Sequence, residues 1–204
     1  MSGKESAEKQ ITLNNLIQYG LSLGATDARI IPAQSICVEN RLADLCSPST
    51  CINYGLSMSC PPHVAGPVGF RKLLAQFEHA LVFKIDVPQE SLFSHARQEV
   101  FRMLHEIASS LQRKASLMGF FNARGFAGGS CKDIFCTSEA DCLVVAQGGP
   151  CRHPHKAKPS MSGLGIDVAK LMATAGFEMT KASAKTQETD GTTMVPVVGL
   201  VLIG

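Results

Sequence analysis

The stretch GGSCKDIFCTSEADCLVVAQGGPCRHP, residues 128–154, decides the architecture because it has an earlier counterpart, LCSPSTCINYGLSMSCPP at 45–62. Both are rich in Gly, Pro and Ser, and so read as loops rather than element interiors. The later one carries Cys131, Cys136, Cys142 and Cys151, spaced x4, x5 and x8. The earlier one, with a cysteine just ahead of it, carries Cys37, Cys46, Cys51 and Cys60, spaced x8, x4 and x8. These are all eight cysteines of the chain, and none lies between Cys60 and Cys131.

What flanks the loops also repeats. Residues 12–23 place Leu13, Leu16, Ile17 and Leu21 at helical spacing and stop at Gly24. The segment DARIIPAQSICVEN follows as a strand, with Pro32 marking an edge or bulge. After the first loop come a helix near 67–78 and the β-rich run ALVFKIDV at 80–87. The order then restarts. A long amphipathic helix is predicted over 90–118, with Phe93, Val100, Phe101, Leu104, Ile107, Ala108 and Leu111 on one side. The short strand FFNARGFA leads into the second loop, and a helix at about 163–175 and a strand FEMTKAS follow it. Gly24-x-x-Asp27-Ala28-Arg29 matches Gly119-x-x-Asn122-Ala123-Arg124, and Cys51-x8-Cys60 matches Cys142-x8-Cys151. Agreement in element order, cysteine count and terminal spacing predicts two pseudo-repeats, about 12–88 and 90–184, each carrying a four-cysteine loop. A final strand at 192–203 closes the chain. The expected fold is a single α/β domain over 12–204, with a mixed sheet of about five strands and a disordered N-terminus over 1–11.

The composition agrees. The chain has 204 residues, 45% of them hydrophobic and 18% charged, which suits one domain with a sizeable core and excludes disorder over most of its length. A formal charge of +2 and the lack of tryptophan argue against duplex or single-stranded nucleic acid as a partner. The polar first ten residues do not read as a signal peptide, and the apolar run 194–204 is too short for a bilayer. A cytoplasmic protein without membrane contact is expected.

In such a compartment disulfides are disfavoured. Buried structural thiols belong in strands and helices, whereas these lie in loops. Metal or iron–sulfur binding is left. Structural zinc sites favour ligand pairs two to four residues apart. Only the two x4 gaps meet that pattern. Iron–sulfur clusters are bulkier and tolerate long, irregular loops with four cysteines each. Two 4Fe–4S clusters are therefore expected, with zinc as the alternative. Cys37 is a ligand if the repeat holds and a strand residue otherwise.

Cys51-x2-Tyr54-Gly55 … Cys60-Pro61-Pro62, together with Gly129-x-Cys131 … Cys151-Arg152-His153-Pro154 … Pro159-Ser160 … Gly165-Ile166-Asp167-Val168, resembles a family of cysteine-rich predicted metal-binding proteins from anaerobic bacteria and archaea. The similarity covers roughly residues 12–204. The family is a domain of unknown function, so the resemblance implies metal or cluster binding and no particular reaction.

Downstream of Cys151, the run Arg152, His153, His155, Lys156 and Lys158 precedes Ser160 and Ser162, two candidate N-caps. It reads as electrostatic tuning of the second cluster, as a solvated turn, or as a small-anion site built from Arg152, His153, His155, Lys158 and Ser160. On this count the second cluster would have the higher potential. No dinucleotide fingerprint, phosphate-binding loop or nucleophile elbow is present. Fully thiolate-ligated clusters pass electrons and bind substrate poorly. The favoured function is therefore one-electron transfer to a redox partner protein. The alternatives are an enzyme whose open-site cluster acts on a small anionic substrate, and a zinc-stabilised interaction domain.

Overall fold

A computed structural model describes residues 3–177 and 193–204. Four strands, β1 (Asp27–Pro32), β2 (His79–Pro88), β3 (Arg124–Phe126) and β4 (Met194–Ile203), form one sheet in the order β1-β2-β4-β3. Each edge strand lies beside the long strand that follows it in the chain, and the two long strands pair in the centre.

Strict alternation along β2 and β4 splits the core in two. Leu81, Phe83, Ile85, Val87, Val201 and Ile203 pack on one face against α1 (Gly3–Ser22) and α4 (Ala96–Leu117), which contribute Leu13, Leu16, Leu104, Ile107 and Leu111. Ala80, Val82, Val198, Leu200 and Leu202 pack on the other face, under α3 (Gly66–Leu74) and α7 (Val168–Thr174). Gly199 sits opposite Phe83 in the ladder, and a Cβ there would overlap the Phe83 ring. Neither long helix, nor any other among the described residues, is long and apolar enough to cross a membrane.

The expected mixed sheet is instead antiparallel at every pairing. The cause lies in the first excursion. The chain leaves β1 at Pro32, runs through the cysteine loop and α3, and re-enters β2 at His79, directly opposite Pro32. The Ala33 N–H donates to Glu78 O at 3.0 Å and closes that path. A segment that returns to the end it left can only run back antiparallel. The expected fifth strand, FEMTKAS, lies outside the described residues except for Phe177, which is buried.

Element boundaries moved for identifiable reasons. α1 begins at Gly3, ahead of the helix start expected at residue 12, and Lys9 forms an ion pair with Glu78. A 3-10 turn (Gln89–Leu92) precedes α4, which leaves Phe93 off the helix face and 84% exposed. The helix expected at 163–175 is broken. A 3-10 turn (Ser162–Leu164) ends at Gly165, whose φ of +75° and close approach to Glu39 O suit no other residue. α7 is then capped by Asp167, which accepts the Lys170 N–H at 3.0 Å, so neither Ser160 nor Ser162 is its cap.

Candidate metal centres

All eight cysteines are free thiols. Those of the second loop converge. Cys131 opens α5 (Cys131–Phe135), Cys136 ends it, Cys142 precedes α6 (Leu143–Gln147), and Cys151 follows the Gly148–Pro150 turn. The four line one void of about 20 Å³, walled by Phe135, Leu143, Val144, Arg152 and His153. As it stands, that space suits a water-sized occupant.

One face of α4 fastens this loop. The Arg102 guanidinium donates to Ile134 O at 2.9 Å, Ser109 donates to His155 O, and Gln112 Oε1 accepts from both Gly125 N–H at 3.0 Å and Lys158 Nζ at 2.8 Å. His105 clasps the two ends of the loop. Its Nε2–H donates to Gly128 O at 2.9 Å, and its Nδ1 accepts the Lys158 N–H at 3.1 Å. That pair of bonds fixes a neutral tautomer. Burial holds the imidazole pKa down to about 4, partly offset by the Gly128 and Lys156 carbonyls. The sequence reading missed His105. Its signal was a polar stripe, Arg102, His105, Ser109 and Gln112, at helical spacing along an amphipathic helix.

In the first loop, Cys46, Cys51 and Cys60 are neighbours. Burial raises the Cys46 pKa, and nearby Cys51 and Cys60 raise it further. Cys37 lies among different groups. Its Sγ is 3.7 Å from Glu39 Oε1 and 3.6 Å from Lys170 Nζ. Among the described residues, Cys37, Glu39 and Asp167 are the only three metal-ligating side chains whose ligand atoms all lie within 4.8 Å of one another. Lys170 already compensates that trio. It is ion-paired with Glu39 and lies 3.6 Å from Asp167. Hydrogen bonds from Lys170 and then Arg41 lower the Glu39 pKa to about 2.

The two loops abut through buried serines. Ser57 Oγ lies 3.0 Å from Ser59 Oγ and 3.2 Å from Ser130 Oγ. Ser59 Oγ accepts the Cys131 N–H at 3.0 Å and sits 3.8 Å from Cys60 Sγ, so one hydroxyl touches a cysteine of each group. The Ser160 N–H donates to Ser59 O at 2.8 Å. Electrostatics differ among the thiols. Burial raises Cys131, although hydroxyls of Ser59 and Ser57 oppose it, and burial raises Cys136 against nearby Arg152. At Cys142, burial is outweighed by N–H groups of Val145, Met58 and Val144 and by Arg152, which hold the thiol below its ordinary pKa.

The expected anion residues do not share one site. Arg152 and His153 line the second cysteine void, and Arg152 also pairs with Glu139 at 2.9 Å. His155 contributes its carbonyl to Ser109, Lys156 pairs with Glu106, and Ser160 bridges to Ala127. Lys158 turns into a separate cavity. The excess of positive charge expected at the second centre is thus reduced to Arg152, His153 and Lys132.

No curated protein and no solved structure matches the chain. The family of predicted metal-binding proteins known as DUF2284 matches residues 29–203, a span that holds both cysteine loops, β2, β3, β4 and β1 from Arg29 onward, and the chain belongs to that family.

Proposed function

We propose that this protein holds two iron–sulfur clusters of the 4Fe–4S type and passes single electrons to and from a redox partner protein. The carrying observation is the convergence of four thiols, Cys131, Cys136, Cys142 and Cys151, on one void. Tetrahedral zinc, with bonds of about 2.3 Å, needs thiolate sulfurs about 3.8 Å apart. No three cysteine sulfurs among the described residues come within 4.8 Å of one another. A cubane binds each cysteine through a different iron and tolerates four thiolates on long, irregular loops, the arrangement each cysteine group has in the sequence. Bound there, the cluster would supply reversible one-electron chemistry. Cys131, Cys136, Cys142 and Cys151 would hold one cluster, and Cys46, Cys51 and Cys60 the other, with Cys37 as the fourth ligand expected from the sequence. The serine contact between Cys60 and Cys131 supports exchange between two adjacent centres. The order helix, edge strand, cysteine loop, which runs from α1 through β1 and again from α4 through β3, supports reading 12–88 and 90–184 as pseudo-repeats. Eight free thiols fit a reducing, cytoplasmic setting.

A second reading rests on Cys37. Its company of Glu39, Asp167 and Lys170 favours a first centre with three thiolates and an open position, able to act on a small anionic substrate. Metal and sulfide analysis with absorption spectroscopy on anaerobically purified protein tests both. About eight irons and eight sulfides per chain, with a visible band bleached by dithionite, is the expected result. Stoichiometric zinc without sulfide would leave the zinc-stabilised domain, a reading favoured by the small volume of the second void.

A further inference from the structure

A cavity of about 450 Å³ lies apart from the void of the second cysteine loop, between the first loop and β3. That volume is ample for a small ligand. Val64, Phe70, Leu73, Phe126 and Leu164 make most of its wall apolar. Three cationic or imidazole side chains also line it: His63, Arg124 and Lys158.

Lys158 is the informative one. It is 6% exposed, and its Nζ hydrogen-bonds to Gln112 Oε1 at 2.8 Å. That is the one hydrogen bond its Nζ makes among the described residues, and an ammonium has three donors, so two are left over. Arg113 and Arg124 add like charge nearby. Among the described residues, none of these three cations forms a salt bridge. Burial lowers the Lys158 pKa only to about 8, which leaves the group mostly charged at neutral pH. A buried cation that faces other cations is costly unless an anion reaches it.

We infer that this cavity binds a small organic carboxylate, with the carboxylate on Lys158 and Arg124 and an apolar body against Phe70, Leu73 and Phe126. The apolar wall disfavours inorganic phosphate, which would leave those rings and methyl groups unfilled and its own oxygens poorly solvated. The cavity shares only Ala157 with the second cysteine void, so the inference holds whichever metal the cysteines bind.

Calorimetry on the full-length, metal-loaded protein tests it, with acetate, hexanoate and 3-phenylpropanoate as probes. The alcohols of the same carbon skeletons and inorganic phosphate serve as controls. The two larger carboxylates are expected to bind at least about tenfold more tightly than their alcohols, the yield of one charge-assisted hydrogen bond. Lys158→Met, which keeps the length and the apolar stem, is expected to abolish that preference. In the wild type, the same carboxylates are expected to protect Lys158 from an amine-acetylating reagent, read by peptide mass spectrometry, so the inference does not depend on the variant folding. Three results would overturn it: no carboxylate binding at about 10 mM, equal binding of acids and alcohols, or phosphate binding as tightly as hexanoate.

Discussion

Acid should loosen the second cysteine loop through a single side chain. His105 is neutral in the folded protein because its two nitrogens face a carbonyl and an N–H, and because it is buried. A proton on Nδ1 would set N–H against N–H and detach Lys158 from Gly128. Burial lowers the folded pKa from 6.5 to about 4. Between those values the unfolded chain holds a proton that the folded chain lacks, so stability falls as pH falls through the window and is flat above it. The full drop corresponds to about 3 kcal/mol. His105→Gln keeps a donor and an acceptor but cannot titrate. Acid also strips metal from thiolates, a loss common to both proteins. The measurement is therefore the difference in urea unfolding free energy between wild type and variant, from about pH 7 to about pH 4 under one metal and thiol regime. The wild type should lose about 3 kcal/mol more than the variant. Parallel pH profiles would refute the assignment of His105 as a neutral clasp.

Other perturbations have expected outcomes of their own. Gly199→Ala drives a methyl group into the Phe83 ring at the centre of the sheet and should cost about 1–3 kcal/mol in denaturant unfolding. Ser59→Ala leaves the buried Cys131 N–H without its acceptor and should cost about 1–3 kcal/mol, with metal release from both loops speeding up together in a chelator competition. Cys142→Ser should remove one centre's worth of bound metal. Cys37→Ser should leave metal content unchanged if the three-thiolate reading of the first loop holds, and lower it if Cys37 is a ligand.

The sequence carried the parts of the fold that rest on local patterning. The β-rich composition of ALVFKIDV located β2, helical spacing from Val100 to Leu111 located the buried face of α4, and Pro32 marked β1 as an edge or bulged strand, of which the edge is what the sheet has. What it did not carry depends on long-range return of the chain. The antiparallel pairing of β1 with β2 follows from a loop whose two ends meet at Pro32 and His79, and nothing local to either strand encodes that meeting. The cysteine spacing pointed to the second loop's four thiols, which do share a void. It left Cys37 open between ligand and strand residue, because two of the groups beside it, Asp167 and Lys170, lie in the other half of the chain. The basic run after Cys151 could be read as one site, but it winds through a turn closed on His153 O, its side chains go to different partners, and of that run only Lys158 lines the large cavity.

The place of β4 in the sheet imposes an order on biogenesis. Residues 194–203 are translated after both cysteine loops, yet they lie between β2 and β3. Until they emerge, β3 has no neighbouring strand, and β2 lacks its longest pairing. All eight thiols therefore leave the ribosome before the scaffold that spaces them exists. Metal captured at that stage would meet cysteines not yet sorted into their loops. Nascent chains stalled before residue 194 should accordingly bind metal no better than unfolded chain does.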